Sequence, residues 1–316
     1  MCYETVERML NIDMNIREST KDNYRVTLNK ILDKAKEKLN VDTEEELLKK
    51  MDSDIVEDLF LDSKKDDWKK STFNNKIMVF QKYCKYLVNK GIKEKNISAT
   101  LQRYKELDDK KIKDYLTLEE VNKVIKDSYS FQKGIINGKR IGSRMRLIIA
   151  LGSTTGMRIE EILNITFDRM EKFYINNEFV GYIVDFNKKQ NKGKINKRVP
   201  ICGEVLKLLN EYIKEVRDKI KIEEEFKDYL FVSDKGKKLS KSTVENNIDK
   251  FVRAGGIEKT IVPHSLRKTF RTVLTSKGIN ENVIKLIGGW KLDVVTSAYV
   301  DLTDEEKFSI CDFLDK

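Results

Sequence analysis

The only histidine of the chain lies three residues before an arginine, in the segment PHSLRKTF at residues 263–270. Residues three apart on a helix share one face, so His264 and Arg267 would point to the same place. The imidazole titrates near neutral pH, and the guanidinium presents a planar set of donors that fits a phosphate or a carboxylate. The pair is typical of proton transfer beside a bound anion. The alternative is a helix-start histidine held by local backbone, with an arginine in solvent.

A second arginine follows a glycine in the segment TTGMRIEEILNIT. Gly156 lets the backbone turn sharply, so Arg158 is expected at the start of a helix rather than inside one. Glu161 follows three residues later and would be close enough to brace the arginine. Without further context, this spacing favours an ordinary ion pair on a surface helix.

Composition indicates a globular protein with an anionic partner. The chain has 316 residues, of which 40% are hydrophobic, and 62 Lys and Arg against 52 Asp and Glu give a net charge of +10. Such a surplus favours a polyanion, because neutralised phosphates release condensed counterions, although a lysine-rich proteome alone could produce it. One histidine and four scattered cysteines offer no zinc set. With no signal peptide or membrane-spanning apolar run, we expect a cytoplasmic protein with reduced thiols.

The apolar pattern predicts a helical N-terminal domain. Helical periodicity runs from Ser19 to Val88, which favours a bundle of four or five helices with Ser19 as the first N-cap. The segments TEEELLKKM and SDIVEDLFL would each begin at a capping residue, Thr43 and Ser53. Residues 104–114 have few apolar side chains and are typical of an exposed linker. We therefore predict domains at residues 1–103 and 115–316.

The second domain is predicted to be helical with a small antiparallel sheet. Its first helix has a capping box of Thr117 and Glu120, and an apolar helix follows around MRLIIALGSTTG. The segments YINNEFVGYIVDF and INKRVPI are expected to pair as strands joined by the lysine-rich turn NKKQNKGK. Helices resume from EVLKLLNEYIKEV onward. The predicted fold class is mainly α, with an α+β second domain.

The order of these segments resembles the tyrosine recombinase (phage integrase) family. A TGxRxxE turn is followed by a hairpin ending in RVPI, then by PHSLRKTF and LIGGWKLDVVTSAY. The resemblance covers essentially the whole chain and implies a helical core-binding domain followed by a catalytic domain. It places Arg158 and Arg267 as the two catalytic arginines, Glu161 as the acidic companion of the first, and His264 in the HxxR box.

The last of these segments, LIGGWKLDVVTSAY, contains two further positions that match the family. Trp290 follows Gly289 where most family members have a histidine and some have a tryptophan. Its indole N–H could donate to a phosphate oxygen but could not transfer a proton, so the acid–base burden would shift to His264. Tyr299, nine residues after Trp290, takes the place of the nucleophile.

The catalytic lysine of the family is harder to place. Lys192 lies eight residues before Pro200, as the family spacing implies. Other lysines compete for the role within the same turn, namely Lys188, Lys189 and Lys194. We predict Lys192, with Lys189 as the alternative.

The resemblance implies a site-specific recombinase that cleaves and rejoins double-stranded DNA through a 3′-phosphotyrosine, in the integration or excision of a mobile element. It implies no cofactor and no membrane, a tetrameric synapse on DNA, and an accessory DNA-bending or directionality factor. A type IB topoisomerase that relaxes DNA, or a non-catalytic DNA-binding relative, would share the fold. The amphipathic tail, with Phe308 and Cys311 on one face, would dock on a neighbouring protomer or on its own domain.

Overall fold

The computed structural model describes residues 3–12, 16, 18–64, 68–105, 114–126, 138–186, 197–290 and 302–311. The chain divides into two compact units, residues 1–111 and residues 112–316. Each unit has its own apolar core.

The first unit is helical in all of its regular described structure. Its helices are α1 (Glu4–Ile12), α2 (Glu18–Leu39), α3 (Glu44–Lys50), α4 (Ser53–Lys64) and α5 (Lys70–Asn89). Residues at helical spacing meet in the core, including Leu28 and Leu32 of α2 and Ile77 and Phe80 of α5, all fully buried. The predicted helical bundle is confirmed.

The helix starts in this unit differ in part from prediction. Thr43 caps α3, because its side chain accepts from the backbone N–H of Glu46. Ser19 does not cap α2, which already begins at Glu18. Asp52 rather than Ser53 caps α4, where its carboxylate accepts from the N–H of Ile55 at 2.9 Å. Both errors have one cause, since a neighbouring acidic residue extends the helix or takes the capping bond.

Helix α1 lies outside the predicted helical range. Its first backbone N–H groups, from Glu4 and Thr5, donate to the Glu44 carboxylate at 2.7 and 3.0 Å. Val6 and Leu10, one turn apart, are fully buried against the other helices. A carboxylate from α3 thus supplies the cap that the local sequence lacks.

The second unit is helical with one small sheet. Its described helices are α6 (Leu118–Lys126), α7 (Gly138–Thr155), α8 (Ile159–Leu163), α9 (Gly203–Glu215), α10 (Lys241–Ala254), α11 (Pro263–Ser276), α12 (Glu281–Gly288) and α13 (Asp304–Cys311). The core centres on α7, where the run from Leu147 to Leu151 is buried on every side. The predicted capping box of α6 is confirmed, with Glu120 N–H donating to Thr117 and Thr117 N–H donating to Glu120.

The sheet has three described strands instead of the two predicted segments. They are β1 (Met170–Ile175), β2 (Glu178–Phe186) and β3 (Lys197–Ile201), antiparallel in the order β1-β2-β3. The segment YINNEFVGYIVDF contains a turn, because Asn176 and Asn177 take φ angles of 49° and 67°. Two successive left-handed residues make the tight connection that a hairpin needs, and asparagine tolerates them.

The tail helix α13 packs on the sheet of its own unit. Phe308 stacks on Phe173 of β1, with ring centroids 4.7 Å apart. Asp304 accepts from Arg198 of β3 at 3.1 Å. Of the two arrangements left open by the sequence, the described residues adopt the one within a single chain. Among the same described residues, no helix combines the length and the apolar character needed to span a bilayer.

Candidate active site

A glycine turn between α7 and α8 places the first arginine. Gly156 has a φ of +62°, and a Cβ built there would lie 2.6 Å from Cδ1 of Phe270. Only glycine therefore fits this turn without displacing the ring. Arg158 follows as the N-cap of α8, in extended conformation, as the sequence predicts.

The buried carboxylate of Glu161 accepts two hydrogen bonds from Arg158. Its Oε2 accepts from the backbone N–H of Arg158 at 2.9 Å, and its Oε1 accepts from Nη1 of the same residue at 2.7 Å. Only 5% of Glu161 is exposed, so this is not a surface ion pair. Burial alone would raise the pKa of Glu161, but the charge of Lys197 and the bonds from Arg158 hold it below its ordinary value.

Helix α11 carries the histidine and the second arginine in its first two turns. Pro263 occupies the start of the helix, where its missing N–H costs nothing. His264 is exposed, whereas Arg267 one turn later is 4% exposed. Arg267 donates to the carbonyl of Gly156 through Nη1. Its other terminal nitrogen, Nη2, is buried and makes no hydrogen bond to any described atom.

Arg267 is held in an electropositive setting. Burial lowers the pKa of Arg267 to about 10, and the like charge of Arg158 adds to the shift. Within the described part of the chain, no carboxylate is at ion-pair distance from its guanidinium. The group remains cationic at neutral pH and is short of an anionic partner.

The Trp290 ring packs against the guanidinium of Arg267. Helix α12 ends at Gly288, its C-cap Gly289 takes the left-handed conformation at φ 67°, and the N–H of Trp290 donates to the carbonyl of Lys285 at 2.9 Å. The Arg267 guanidinium lies 4.2 Å from the centre of the Trp290 ring. The ring also stacks on Phe270, 6.2 Å between centroids. Cation–π contact with a half-buried ring orients the guanidinium plane.

The two arginines and the histidine share one pocket. The pocket has a volume of about 360 Å³, and Arg158, His264 and Arg267 are in its wall. Lys241 of α10, which the sequence analysis did not single out, also lines it and lies 3.4 Å from Glu160. The guanidiniums of Arg158 and Arg267 suit a tetrahedral anion such as a phosphate, while Lys241 is ion-paired with the wall carboxylates of Glu160 and Glu245.

The structure adds one buried charge to this group, Lys197 of β3. Its Nζ lies 3.4 Å from Oε2 of Glu161 and 3.3 Å from the carbonyl of Gly288. Burial lowers the pKa of Lys197 to about 8, although the Glu161 carboxylate opposes the shift, so the ammonium is still mainly protonated at neutral pH. Strand periodicity was the available signal, since Lys197 shares a face with Val199 and Ile201.

The remaining predicted site residues cannot be placed. Tyr299, Lys192 and the competing lysines Lys188, Lys189 and Lys194 lie outside the described residues. The structure thus brings together Arg158, Glu161, His264, Arg267 and Trp290 of the predicted set.

Comparison with known proteins identifies the family. The model of the phage integrase family matches residues 114–306. A tyrosine recombinase of Pseudothermotoga lettingae is 29% identical over 233 residues, which cover 74% of this chain and 71% of the relative. Tyrosine recombinase XerD of Oceanobacillus iheyensis is 23% identical over 295 residues, 93% of this chain and 91% of the relative.

Two solved structures share the fold. A lambda integrase dimer bound to a COC′ core site superposes with a TM-score of 0.62 at 16% identity, over 95% of this chain and 96% of that one. The Tn1549 transposon integrase, in complex with transposon right end DNA, gives a TM-score of 0.63 at 18% identity and covers 99% of both chains. The chain belongs to the phage integrase family. It is a tyrosine recombinase, an enzyme of DNA strand breakage and rejoining.

Proposed function

We propose that this enzyme is a site-specific recombinase that cleaves DNA through a 3′-phosphotyrosine. The Tyr299 oxygen attacks the scissile phosphorus, a P–O bond to tyrosine forms, and the P–O5′ bond breaks. The phenol proton passes to a base and the departing 5′ oxygen takes a proton from an acid. Attack by a free 5′-hydroxyl reverses these steps, so the bond energy is retained and no nucleotide is consumed.

The shared pocket of Arg158, His264 and Arg267 carries this proposal. As an oxygen attacks, negative charge grows on the non-bridging phosphate oxygens, and preorganised cations stabilise it. Arg267 has a buried nitrogen without a hydrogen bond to any described atom, and no carboxylate of the described residues lies at ion-pair distance from its guanidinium. A phosphate oxygen in the pocket would satisfy both requirements.

The other roles follow from the chemistry of each side chain. His264 is exposed in the pocket wall, where it can accept the Tyr299 proton or orient the phosphate. Lys192 donates the proton to the departing 5′ oxygen, with Lys189 as the alternative. Trp290 contributes its single N–H donor and its contact with Arg267.

The proposed partner is double-stranded DNA, bound by several copies of the chain. The net charge of +10 favours phosphate contacts. Related structures include a lambda integrase dimer on a core site and a lambda integrase tetramer on a Holliday junction. We propose that residues 1–103 form a core-binding domain, that residues 115–316 form the catalytic domain, and that a tetramer integrates or excises a mobile element with an accessory DNA-bending or directionality factor.

A nicked suicide substrate tests the proposal. Such DNA loses a short 5′-hydroxyl fragment after cleavage and should trap a protein–DNA adduct that resists detergent. Tyr299→Phe should abolish the adduct with DNA affinity nearly unchanged, because only the nucleophilic oxygen is removed. Tyr174→Phe, at a tyrosine 51% exposed in β1, is the matched control and should form the adduct normally.

Two outcomes would count against this function. An adduct formed by Tyr299→Phe would mean that another residue is the nucleophile. Relaxation of supercoiled plasmids without recombination between paired sites would indicate the topoisomerase activity instead.

A further inference from the structure

Lys197 is a buried cation that the proposed cleavage chemistry does not use. It is 4% exposed and lies on the inward face of β3 beside Val199 and Ile201. Removing an ammonium from water costs several kcal/mol unless partners compensate. Its two acceptors are the Glu161 carboxylate at 3.4 Å and the Gly288 carbonyl at 3.3 Å. Glu161 in turn accepts hydrogen bonds from Arg158, and Gly288 lies two residues before Trp290 in the chain.

The first acceptor controls Arg158. Glu161 holds that arginine by its backbone N–H and by its guanidinium. The oxygen that meets Lys197, Oε2, is the one that accepts the backbone N–H, so the ammonium adds a third contact to a carboxylate that bonds Arg158 through both oxygens.

The second acceptor controls Trp290. Gly288 is the last residue of α12, where unpaired carbonyls favour a cation. A Cβ on Gly289 would lie only 3.1 Å from Cδ of Lys197, so the lysine stem lies along the turn that leads to the tryptophan. The ring beyond this turn contacts the Arg267 guanidinium.

Lys197 is also the largest charge that favours the ionised form of Glu161. The cations around this carboxylate are Lys197 on β3, Arg158 at the start of α8 and, at longer range, Arg267 on α11. Burial pushes the pKa of Glu161 upward, so loss of Lys197 should raise it. A protonated Glu161 would no longer attract the guanidinium of Arg158 as a charge.

We propose that Lys197 is a positioning residue, which fixes both the carboxylate that orients Arg158 and the helix end that sets Trp290 against Arg267. This rests on the proposed function, because Arg158 is taken to contact the scissile phosphate. The residues that line the pocket do not include Lys197. It acts through its neighbours and does not itself donate the proton to the leaving group.

Single-turnover cleavage of the suicide substrate tests this role. Lys197→Met keeps the side-chain length and removes the charge, and should slow cleavage by about 10- to 100-fold with DNA affinity unchanged. Lys197→Arg should recover part of the rate, because it keeps a cation with several donors. The matched control is Lys259→Met, which removes a lysine bonded to Glu120 at 2.6 Å and to the Tyr115 carbonyl at 3.2 Å away from the site.

Two readouts separate positioning from general damage to the fold. In Lys197→Met, cleavage should fall with decreasing pH at a higher pH than in the wild type, because Glu161 becomes protonated sooner. A substrate with a 5′-thiol leaving group, which needs no proton, should not rescue the variant. Rescue by the thiol would identify Lys197 as the proton donor and overturn the proposal, as would cleavage equal to that of Lys259→Met.

A double-mutant cycle tests whether Lys197 acts through Glu161. Glu161→Gln combined with Lys197→Met leaves a neutral buried pair, and the double variant should lose less rate than the sum of the two single losses, because the effect through Glu161 is lost only once while the contact with the Gly288 carbonyl is still missing. Additive losses would show that the two residues act separately.

Tryptophan fluorescence, which does not require DNA, tests this proposal separately from the proposed function. The chain has two tryptophans, so Trp68→Phe leaves Trp290 as the only indole emitter. In that background, Lys197→Met should shift the Trp290 emission and Lys259→Met should not. An unchanged emission would reject the positioning role, whereas absence of any adduct from the wild-type enzyme would reject the proposed function.

Discussion

The two units of this protein differ in what they bury. In the first unit, Ser98 is the sole described buried residue outside the hydrophobic set, and ion pairs such as Arg25–Glu7 keep about a third of each side chain in solvent. The second unit buries Glu161, Lys197 and Arg267 within one neighbourhood. Apolar burial is sufficient to hold a helical bundle together. Charge brought inside a fold costs several kcal/mol per ion, so its concentration in the second unit is a reason to seek the active site there.

The second unit also allows a comparison between buried arginines. Arg217 donates to the carbonyls of Lys227 and Tyr229 and lies 4.5 Å from the centre of the Phe167 ring. Arg267 donates to one carbonyl and retains a nitrogen without a described partner. Burial alone does not distinguish them, and an unused donor alone is not specific either, since Arg144 also has a buried Nε without a hydrogen bond to a described atom. The difference is charge pairing, because Arg144 and Arg217 each lie within ion-pair distance of a carboxylate, whereas no described carboxylate lies that close to Arg267. Arg267 thus combines an unused nitrogen with an unpaired charge, which is the arrangement expected of an arginine that binds an anion.

The largest expected effect comes from replacing each of these two arginines with alanine. Arg267→Ala should slow cleavage by at least about 10³-fold, because the transition state loses a charged clamp, and should lose less stability than Arg217→Ala, because only the Gly156 carbonyl loses its donor. Arg217→Ala should lower the free energy of unfolding by about 2–4 kcal/mol, since it leaves buried carbonyls unpaired, and should keep the cleavage rate of the folded fraction. Denaturant unfolding and single-turnover cleavage measure both. The reverse pattern would refute the distinction.

The parts of the fold and site predicted from sequence depend on local geometry. The turn at Gly156, the helix start at Arg158 and the brace from Glu161 lie within six residues, so spacing alone predicted their arrangement. The caps at Thr43 and Thr117 are equally local. Helix α1 was missed because its cap comes from Glu44, forty residues away along the chain.

Lys197 shows the corresponding limit for the site. Strand alternation indicates that it faces inward, but its acceptors lie 36 and 91 residues away in the chain, on α8 and α12. A single sequence gives no register between these elements, so a buried ion pair among them could not be predicted. The lysine-rich turn drew attention to Lys192 instead, through family spacing.

A smaller effect is expected from replacing Lys192 or Lys189 in the lysine-rich turn. The chemistry of the leaving group should distinguish these two lysines. Lys192→Ala should slow cleavage of an ordinary 5′-hydroxyl leaving group by about 10²-fold or more, as loss of a general acid does. A 5′-thiol substrate should restore the rate, because a thiolate leaves without a proton. Rapid-quench assays with both substrates measure this difference. If the 5′-thiol substrate restores the rate of Lys189→Ala but not that of Lys192→Ala, the general acid is Lys189.

The smallest expected effect is that of chelation. Arg158 and Arg267 supply two positive charges on the wall of the pocket, and two guanidiniums can neutralise the charge that a phosphodiester gains in its transition state. A cation that is part of the polypeptide is not removed by EDTA, so the cleavage rate should be unchanged in excess chelator. The matched measurement is Arg267→Ala with added magnesium, because a divalent ion that substituted for the lost charge would restore cleavage only in that variant. Loss of wild-type cleavage in EDTA, restored by magnesium, would show that the two arginines are insufficient as the clamp. The unused nitrogen of Arg267 would then need another explanation.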